Sequence, residues 1–415
     1  MSATIQSHGR SCQGCGRPSV APLLDLGEQP VTNRFLTRAD SMETVRSLIL
    51  AQCPDCALVQ LGSPWAAADL QPQVDWISYR EPEDHLDELV AEIVKLPSVT
   101  PGSSICGITV KDDSTLERFQ RRGFSRTWRV DMARDIGIAD RRAGVETLQE
   151  KLTPDVAKVI ALSRGPADLV FIRHVVEHAH DLPRFLRSLR TLMTPRGYLV
   201  IEVPDCSDAL QRKDYTTVWE EHSIYFTPAT FVETIRHAGF DLVRQFCYRY
   251  PFENSLAFVL RIADGAGVGT KSAGDHAAEI ARGREFGAAF VNTKRALRRT
   301  LTELLQGRKG ALFGAGHLAC AFVNYHDLGD LFAFVVDDNP HKQGLFLPGS
   351  RLPIQPSAAL EQGDLALALT CFAPENEDKV IAKNRAFTDR GGRFLSIFPS
   401  STRAIQSLFD QRVGA

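Results

Sequence analysis

Two short cysteine motifs constrain this chain more than any other feature. Cys12-Gln13-Gly14-Cys15 and Cys53-Pro54-Asp55-Cys56 each hold two thiols at the spacing that lets one tight turn present both to a single ion. Two such turns supply four soft ligands, the set taken by a closed tetrahedral zinc site. With cysteine at all four positions no place is left for water, so the expected Zn2+ is structural. Residues 16 to 52 separate the knuckles, and the chain has to fold back on itself to bring them together. The short β-like runs Ser47 to Leu50 and Ala57 to Leu61 flank the second knuckle and predict a small antiparallel sheet that does so. The remaining cysteines, Cys106, Cys206, Cys247, Cys320 and Cys371, show no comparable pairing and read as reduced thiols.

A chain of 415 residues is too long for one ordinary core, and two or three domains are expected. A formal net charge of −2 without a basic tract argues against a nucleic-acid partner, including the zinc-ribbon kind. The chain has no run of apolar residues long enough to span a membrane, and its opening residues lack the apolar core of a signal peptide. The expectation is a cytoplasmic protein with no membrane partner. Leu86, Leu89, Val90, Ile93 and Leu96 recur at helical spacing until Pro101 and Gly102 break the pattern. From Ser104 onward strand and helix alternate: strands at 104–108, 127–130, 167–172 and 198–203, helices at 115–122 and 182–193. Such alternation predicts a mostly parallel sheet covered by helices on both faces, with ligands at the carboxyl ends of its strands. A charged helix over 275–306 leads to a second unit that opens with a strand at 310–313. The fold class is therefore α/β: a Rossmann-like sheet flanked by an N-terminal zinc-binding module and a C-terminal Rossmann-like domain. The boundaries fall at 1–70, 71–265, 266–308 (connector) and 309–415.

Two motifs allow more than one chemistry. His174-Val175-Val176-Glu177-His178 satisfies H-x-x-E-H, a zinc-peptidase pattern, but the residues before it read as a buried strand and Asp181 with Pro183 starts a later helix. The continuous helix that the peptidase needs is missing from the pattern. Gly314-x-Gly316-x-x-Ala319, with Asp337 some way on, has the form of a dinucleotide fingerprint, and Lys342 beyond it is a candidate phosphate contact or a solvated lysine.

The stretch Asp168 to His178, followed by Asp181-Leu182-Pro183 and Pro195 to Glu202, closely resembles the fourth strand, following helix and fifth strand of class I methyltransferases. Together with the four cysteines, Leu26 to Phe35, Glu220 to Phe226 and Asp337 to Gly349, the whole chain resembles the three-domain sugar C-methyltransferase family. That resemblance implies S-adenosylmethionine as methyl donor and a nucleotide-linked 4-keto-deoxy sugar as substrate. It further implies donor contacts from Gly107, Asp113, Thr115, Asp131 and His174. Asp131 at a strand end is the candidate acceptor for ribose hydroxyls, although aspartates there also cap helices. The same resemblance assigns His222 as general base, with Glu221, His178 and Tyr79 around it, and places Asn254 at a substrate segment. Such a base removes the proton next to the ketone, and nearby donors hold the enolate oxygen. His222 packed beside Tyr225 and Phe226 without chemistry is the bland alternative.

This sequence departs from the family in two places. Asp113-Ser114-Thr115-Leu116 stands where the family has Asp-Gly-Thr-Leu, with the preceding glycine also gone, and Trp219 replaces the tyrosine that leads the catalytic motif. These departures keep two alternatives open: methyl transfer to oxygen or nitrogen, and a non-catalytic relative acting as a binding or scaffold protein.

Overall fold

The computed structural model describes residues 11–74, 81–140, 142–264 and 273–409. Its first sheet is antiparallel, with β1 (Ala21–Pro30), β2 (Val45–Gln52) and β3 (Val59–Leu61) in sequence order. The second cysteine knuckle is the turn between β2 and β3. Its exit residue Ala57 takes φ 64°, as Gly16 takes φ 74° after the first knuckle, and these left-handed residues let each turn close tightly on its thiols.

The central sheet contains β4 (Ile105–Gly107), β5 (Thr127–Arg129), β6 (Ala167–Arg173) and β7 (Met193–Pro204), all parallel. β6 is buried on both faces, as its near-continuous apolar run requires. Its alternation sorts the core: Val170 and Ile172 face the helices Pro154–Arg164 and Leu182–Thr191, while Leu169 and Phe171 pack with Phe119 and the helix Leu86–Ile93. The strand β8 (Ile224–Tyr225) leaves this sheet and pairs antiparallel with β3, so residues just after the Glu220-Glu221-His222 motif extend the N-terminal sheet. β9 (Phe240–Tyr248) and β10 (Ser255–Ile262) complete the central sheet in the order β5-β4-β6-β7-β10-β9, with β10 antiparallel to both neighbours. The chain reverses its direction of winding between β4 and β6, which makes the carboxyl ends of those strands the place for a ligand.

The charged connector is one helix, Ala273–Leu305, lying on β1. Gly287 is required there, because a Cβ would run into the carbonyl of Leu23. The last sheet is fully parallel and comprises β11 (Lys309–Phe313), β12 (Phe332–Val336), β13 (Ile354–Gln355), β14 (Leu365–Thr370) and β15 (Arg393–Ser396) in the order β13-β12-β11-β14-β15.

One buried cluster unites the three regions, joining Leu48, Leu50 and Val59 with Tyr215, Val218 and Tyr225, and with Phe286, Ala321 and Tyr325. Three tyrosine hydroxyls fix the backbone inside it: Tyr215 donates to the Phe286 carbonyl at 2.9 Å, Tyr325 to that of Val218 at 2.9 Å, and Tyr225 to that of Trp219 at 3.1 Å. A buried hydroxyl without a partner costs about 1–3 kcal/mol, so each of these bonds also specifies the docking geometry. Tyr325 and Tyr225 thereby hold the segment that carries His222, and Tyr215 ties the residues before it to the connector helix.

Candidate active site

The segment from Trp219 to His222 is held from the N-terminal module. The Thr32 backbone N–H and hydroxyl both donate to Glu220 Oε1, at 2.6 and 2.8 Å, and Trp219 Nε1 donates to Thr32 Oγ1 at 3.1 Å. Asn33 Nδ2 donates to Glu221 Oε1 at 2.8 Å. The two conspicuous motifs of the sequence, Leu26 to Phe35 and Glu220 to Phe226, are thus partners in space. Ser223, between the motif and β8, donates to the carbonyls of Glu177 at 3.1 Å and Ala179 at 2.6 Å, which brings the turn after β6 against them.

His178 and His222 meet in this corner. Their ring centroids lie 4.7 Å apart at 84°, edge to face. Nδ1 of His178 is 2.8 Å from Oε1 of Glu146, a buried carboxylate on the helix Val145–Lys151. Sequence reasoning missed Glu146, which belongs to no motif and is far from His178 along the chain. His222 also lies 4.8 Å from Trp219, whose indole stacks on His317 at 4.4 Å and 20°. His317 opens the helix His317–Tyr325 that follows the fingerprint glycines, so the C-terminal domain reaches the same corner. A cavity of about 320 Å³ is lined by Trp219, His222, His317, Asn254, Arg212 and Arg249, among others. Tyr79 lies outside the described residues.

The charges in this corner follow from burial. Burial, with His178 and His317 alongside, holds His222 well below the usual imidazole range and keeps the ring neutral. Burial also raises the Glu221 carboxyl well above its usual range, reinforced by Glu146 and Glu220, and raises Glu220 to about 7. For Glu146 burial pushes the other way from its hydrogen bond to His178, and the bond together with the His178 charge prevails, lowering the group.

At the carboxyl ends of β4, β5 and β6 the expected donor residues are partly assembled. Gly107 ends β4, the Val130 N–H donates to its carbonyl at 3.0 Å, and Asp131 follows directly. Asp131 Oδ1 accepts from the N–H groups of Ala133 at 3.1 Å and Arg134 at 2.8 Å, so the residue caps its own turn with one oxygen and has Oδ2 for a ribose hydroxyl. His174 is buried at φ 49° with Nε2 3.1 Å from Glu202 Oε1, and it is bound into a charged cluster rather than facing open space. Asp113 turns outward to Arg129 Nε at 2.7 Å, and Thr115 is buried with its hydroxyl unpartnered. The loop from Gly107 to Asp113 folds on itself: Asp112 Oδ2 accepts from the Ile108 and Thr109 N–H groups at 2.8 Å each. A Cβ on Gly107 would come 2.9 Å from the Asp112 Cβ, so this glycine makes room for the loop's own side chain. Lys111 spans from Glu81 to the His174 carbonyl, at 3.0 Å each, and Arg173 Nε pairs with Glu202 Oε2 at 2.7 Å. Asp131, the half-buried Glu81 and the buried Glu177 fit a donor that carries ribose hydroxyls and a positive sulfonium. Lys111 and Arg173 are the unforeseen residues of this region.

The four knuckle thiols converge as expected. Sγ of Cys12 is 3.5 Å from that of Cys56, and Sγ of Cys15 is 3.6 Å from that of Cys53. All four lie within 4.8 Å of one another. Bonds of 2.3 Å in a tetrahedron put sulfurs about 3.8 Å apart, so the set fits a zinc ion. In the C-terminal domain Asp337 does not stand free as a ribose acceptor. Its Oδ2 takes the Ala315 N–H at 3.0 Å and the Lys342 ammonium at 3.0 Å, and Lys342 also donates to the Ala315 carbonyl at 2.6 Å. Lys342 therefore braces the fingerprint loop, in place of the phosphate contact or solvated position open to it from sequence.

Three family models match consecutive parts of the chain: a zinc binding domain over residues 12–70, a methyltransferase domain over 102–245, and a C-methyltransferase C-terminal domain over 271–399. The C-methyltransferase NovU of Streptomyces niveus is 27% identical over 410 residues, covering 94% of this chain and 95% of that protein. Among solved structures, a SAM-dependent methyltransferase from Anabaena variabilis is 15% identical with a TM-score of 0.31, over 43% of this chain and 86% of its own. The CcbJ methyltransferase of Streptomyces caelestis is 14% identical with a TM-score of 0.30, over 46% and 94%. At TM-scores this low the two structures add nothing to the family matches. With a four-cysteine zinc module, a class I methyltransferase sheet and a C-terminal Rossmann-like domain in one chain, the protein is an S-adenosylmethionine-dependent methyltransferase similar along nearly its whole length to a C-methyltransferase.

Proposed function

We propose that the enzyme methylates the carbon next to the ketone of a nucleotide-linked 4-keto-deoxy sugar, with His222 as the base. The observation that carries this reading is the imidazole pair at the cavity wall: His222 faces the cavity, and His178 stands behind it with Glu146 on its far nitrogen. A base has to be uncharged before it acts, and burial keeps His222 so. As His222 takes the α proton, the positive charge it acquires is met by the neighbouring pair of His178 and the Glu146 carboxylate.

Glu221 supplies the complementary function. Burial, with Glu146 and Glu220 close by, favours its protonated carboxyl, and Asn33 donating to Oε1 leaves Oε2 to carry the proton. A neutral buried carboxylic acid is a strong donor to a developing enolate oxygen, and removing such a donor costs about 10²–10³ in rate. Arg212 and Arg249 in the same cavity suit the diphosphate of a nucleotide-linked substrate. S-adenosylmethionine, when bound, supplies the electrophilic methyl group, and Gly107 and Asp131 are the residues that would hold it. The residues of this chain contribute the base and the enolate donor.

The test is product analysis. With donor labelled at the methyl carbon and a panel of nucleotide-linked 4-keto-deoxy sugars, carbon NMR is expected to show a methyl bonded to a ring carbon. A label appearing only on oxygen or nitrogen would overturn the assignment.

A further inference from the structure

We propose that Glu177, His178 and His222 form a binding site for a divalent transition-metal ion, separate from the four-cysteine site, and that an ion bound there switches the enzyme off. One ligand atom from each residue lies within 4.8 Å of the others. The imidazole centroids stand 4.7 Å apart, and two imidazoles sharing one ion at bonds of about 2.0–2.1 Å have centroids about 4.5–5.2 Å apart, so the backbone need not move. Small side-chain rotations close the remaining distance.

Three features point to an ion rather than to a chance cluster. Nδ1 of His178 is engaged by Glu146 at 2.8 Å, which leaves Nε2 as its outward nitrogen. A ligating imidazole backed by a carboxylate on its second nitrogen is a recurrent arrangement at metal sites, because it fixes the ring and raises its basicity. Glu177 is 1% exposed, and its Oε2 has no hydrogen-bond partner. An unmet carboxylate oxygen in the interior is costly, and a cation satisfies it. Finally, His222 opens onto the cavity of about 320 Å³, which gives an ion both an entry path and a free coordination position. Two imidazoles and one carboxylate favour zinc, cobalt, nickel or copper over magnesium or calcium.

The consequence for catalysis rests on the reading of His222 as base. A neutral imidazole has one ring lone pair to give, and once a metal ion takes it the ring cannot accept the substrate's α proton.

The experiment titrates Co2+ into full-length protein whose four-cysteine site is loaded with zinc, following visible absorption and heat. One further Co2+ per chain is expected, with the spectrum of nitrogen and oxygen ligands and without thiolate charge transfer. His222→Ala should abolish it. Glu146→Gln, which removes no ligand, should weaken it about 10–100-fold, with circular dichroism confirming that both variants are folded. The proposal is overturned if the zinc-loaded wild type takes up no Co2+, or if His222→Ala and Glu146→Gln bind it as tightly as the wild type. Inhibition of α-proton exchange should follow the same Co2+ saturation curve. A His222-dependent Co2+ site in a protein that never exchanges the α proton would remove the proposed reaction and leave the metal site standing. Exchange that is unaffected by saturating Co2+ would overturn the switch.

Discussion

His178 owes its orientation to Glu146, and this contact separates what a sequence displays from what a fold creates. The four cysteines were legible because their spacing carries chemistry, and His178 and His222 because their segments resemble those of a known family. Glu146 has no such signal. It reaches His178 only because the helix Val145–Lys151 returns to the end of β6, with its side chain folded back over Gly144, where a Cβ would come 2.6 Å from Glu146 Oε2. Replacing Glu146 with Gln keeps the shape but withdraws the charge that steadies protonated histidine. Turnover is predicted to fall about 10²-fold with little change in donor affinity, measured by single-turnover methyl transfer beside calorimetric titration of the donor. A second residue-scale prediction lies away from the site. Burial outweighs the hydrogen bond from His326 Nδ1 to the Phe322 carbonyl and lowers its pKa to about 4. The unfolded value is about 6.5, so the folded state binds this proton less readily than the unfolded state. Its contribution is therefore complete above pH 6.5 and is lost as pH falls through 4, by on the order of 3 kcal/mol. His326→Asn should flatten that part of the stability profile, as urea denaturation at pH 7 and pH 4.5 would show.

Elements were read from periodicity with uneven success, for reasons that are physical. β6 and the helix after it announce themselves through a buried run and an Asp181 cap whose side chain accepts the Arg184 N–H. β9 and β10 did not stand out. β9 is half-exposed along its length, and β10 is a short apolar run that only its pairing identifies as a strand. The donor loop shows the opposite effect, where the residues were legible and their arrangement was not. Sequence placed Asp113 and Thr115 at the donor, whereas the fold turns one toward Arg129 and buries the other. In place of a glycine-rich cradle this loop is braced by Asp112 and by the buried Arg173–Glu202 pair. Arg173→Met leaves Glu202 buried with one cationic partner fewer. It should cost about 3–5 kcal/mol, read from the midpoint of urea denaturation, and a loss under 1 kcal/mol would contradict the brace.

At the scale of the whole molecule, the zinc module forms the back wall of the candidate site. Thr32 and Asn33 hold Glu220 and Glu221, and β8 hydrogen-bonds to β3 directly after the second knuckle. Removing zinc should therefore abolish methyl transfer before the central sheet unfolds. A chelator titration followed by both activity and circular dichroism is expected to show activity falling first, and coincident loss would mean that the module is no separate support. The Trp219–His317 stack carries the same logic to the C-terminal domain, which closes the cavity from its other side. The three-part organisation was visible in sequence as consecutive motifs, but the convergence of all three parts on one segment was not, because tyrosine hydroxyls and short strand pairings set it. The central claim is that this convergence makes His222 a base. Its most direct measurement is proton NMR of a nucleotide-linked 4-keto-deoxy sugar in deuterated buffer, with wild-type enzyme or His222→Ala. Loss of the α-proton signal with the wild type alone is the predicted result, and equal exchange by both proteins would contradict it.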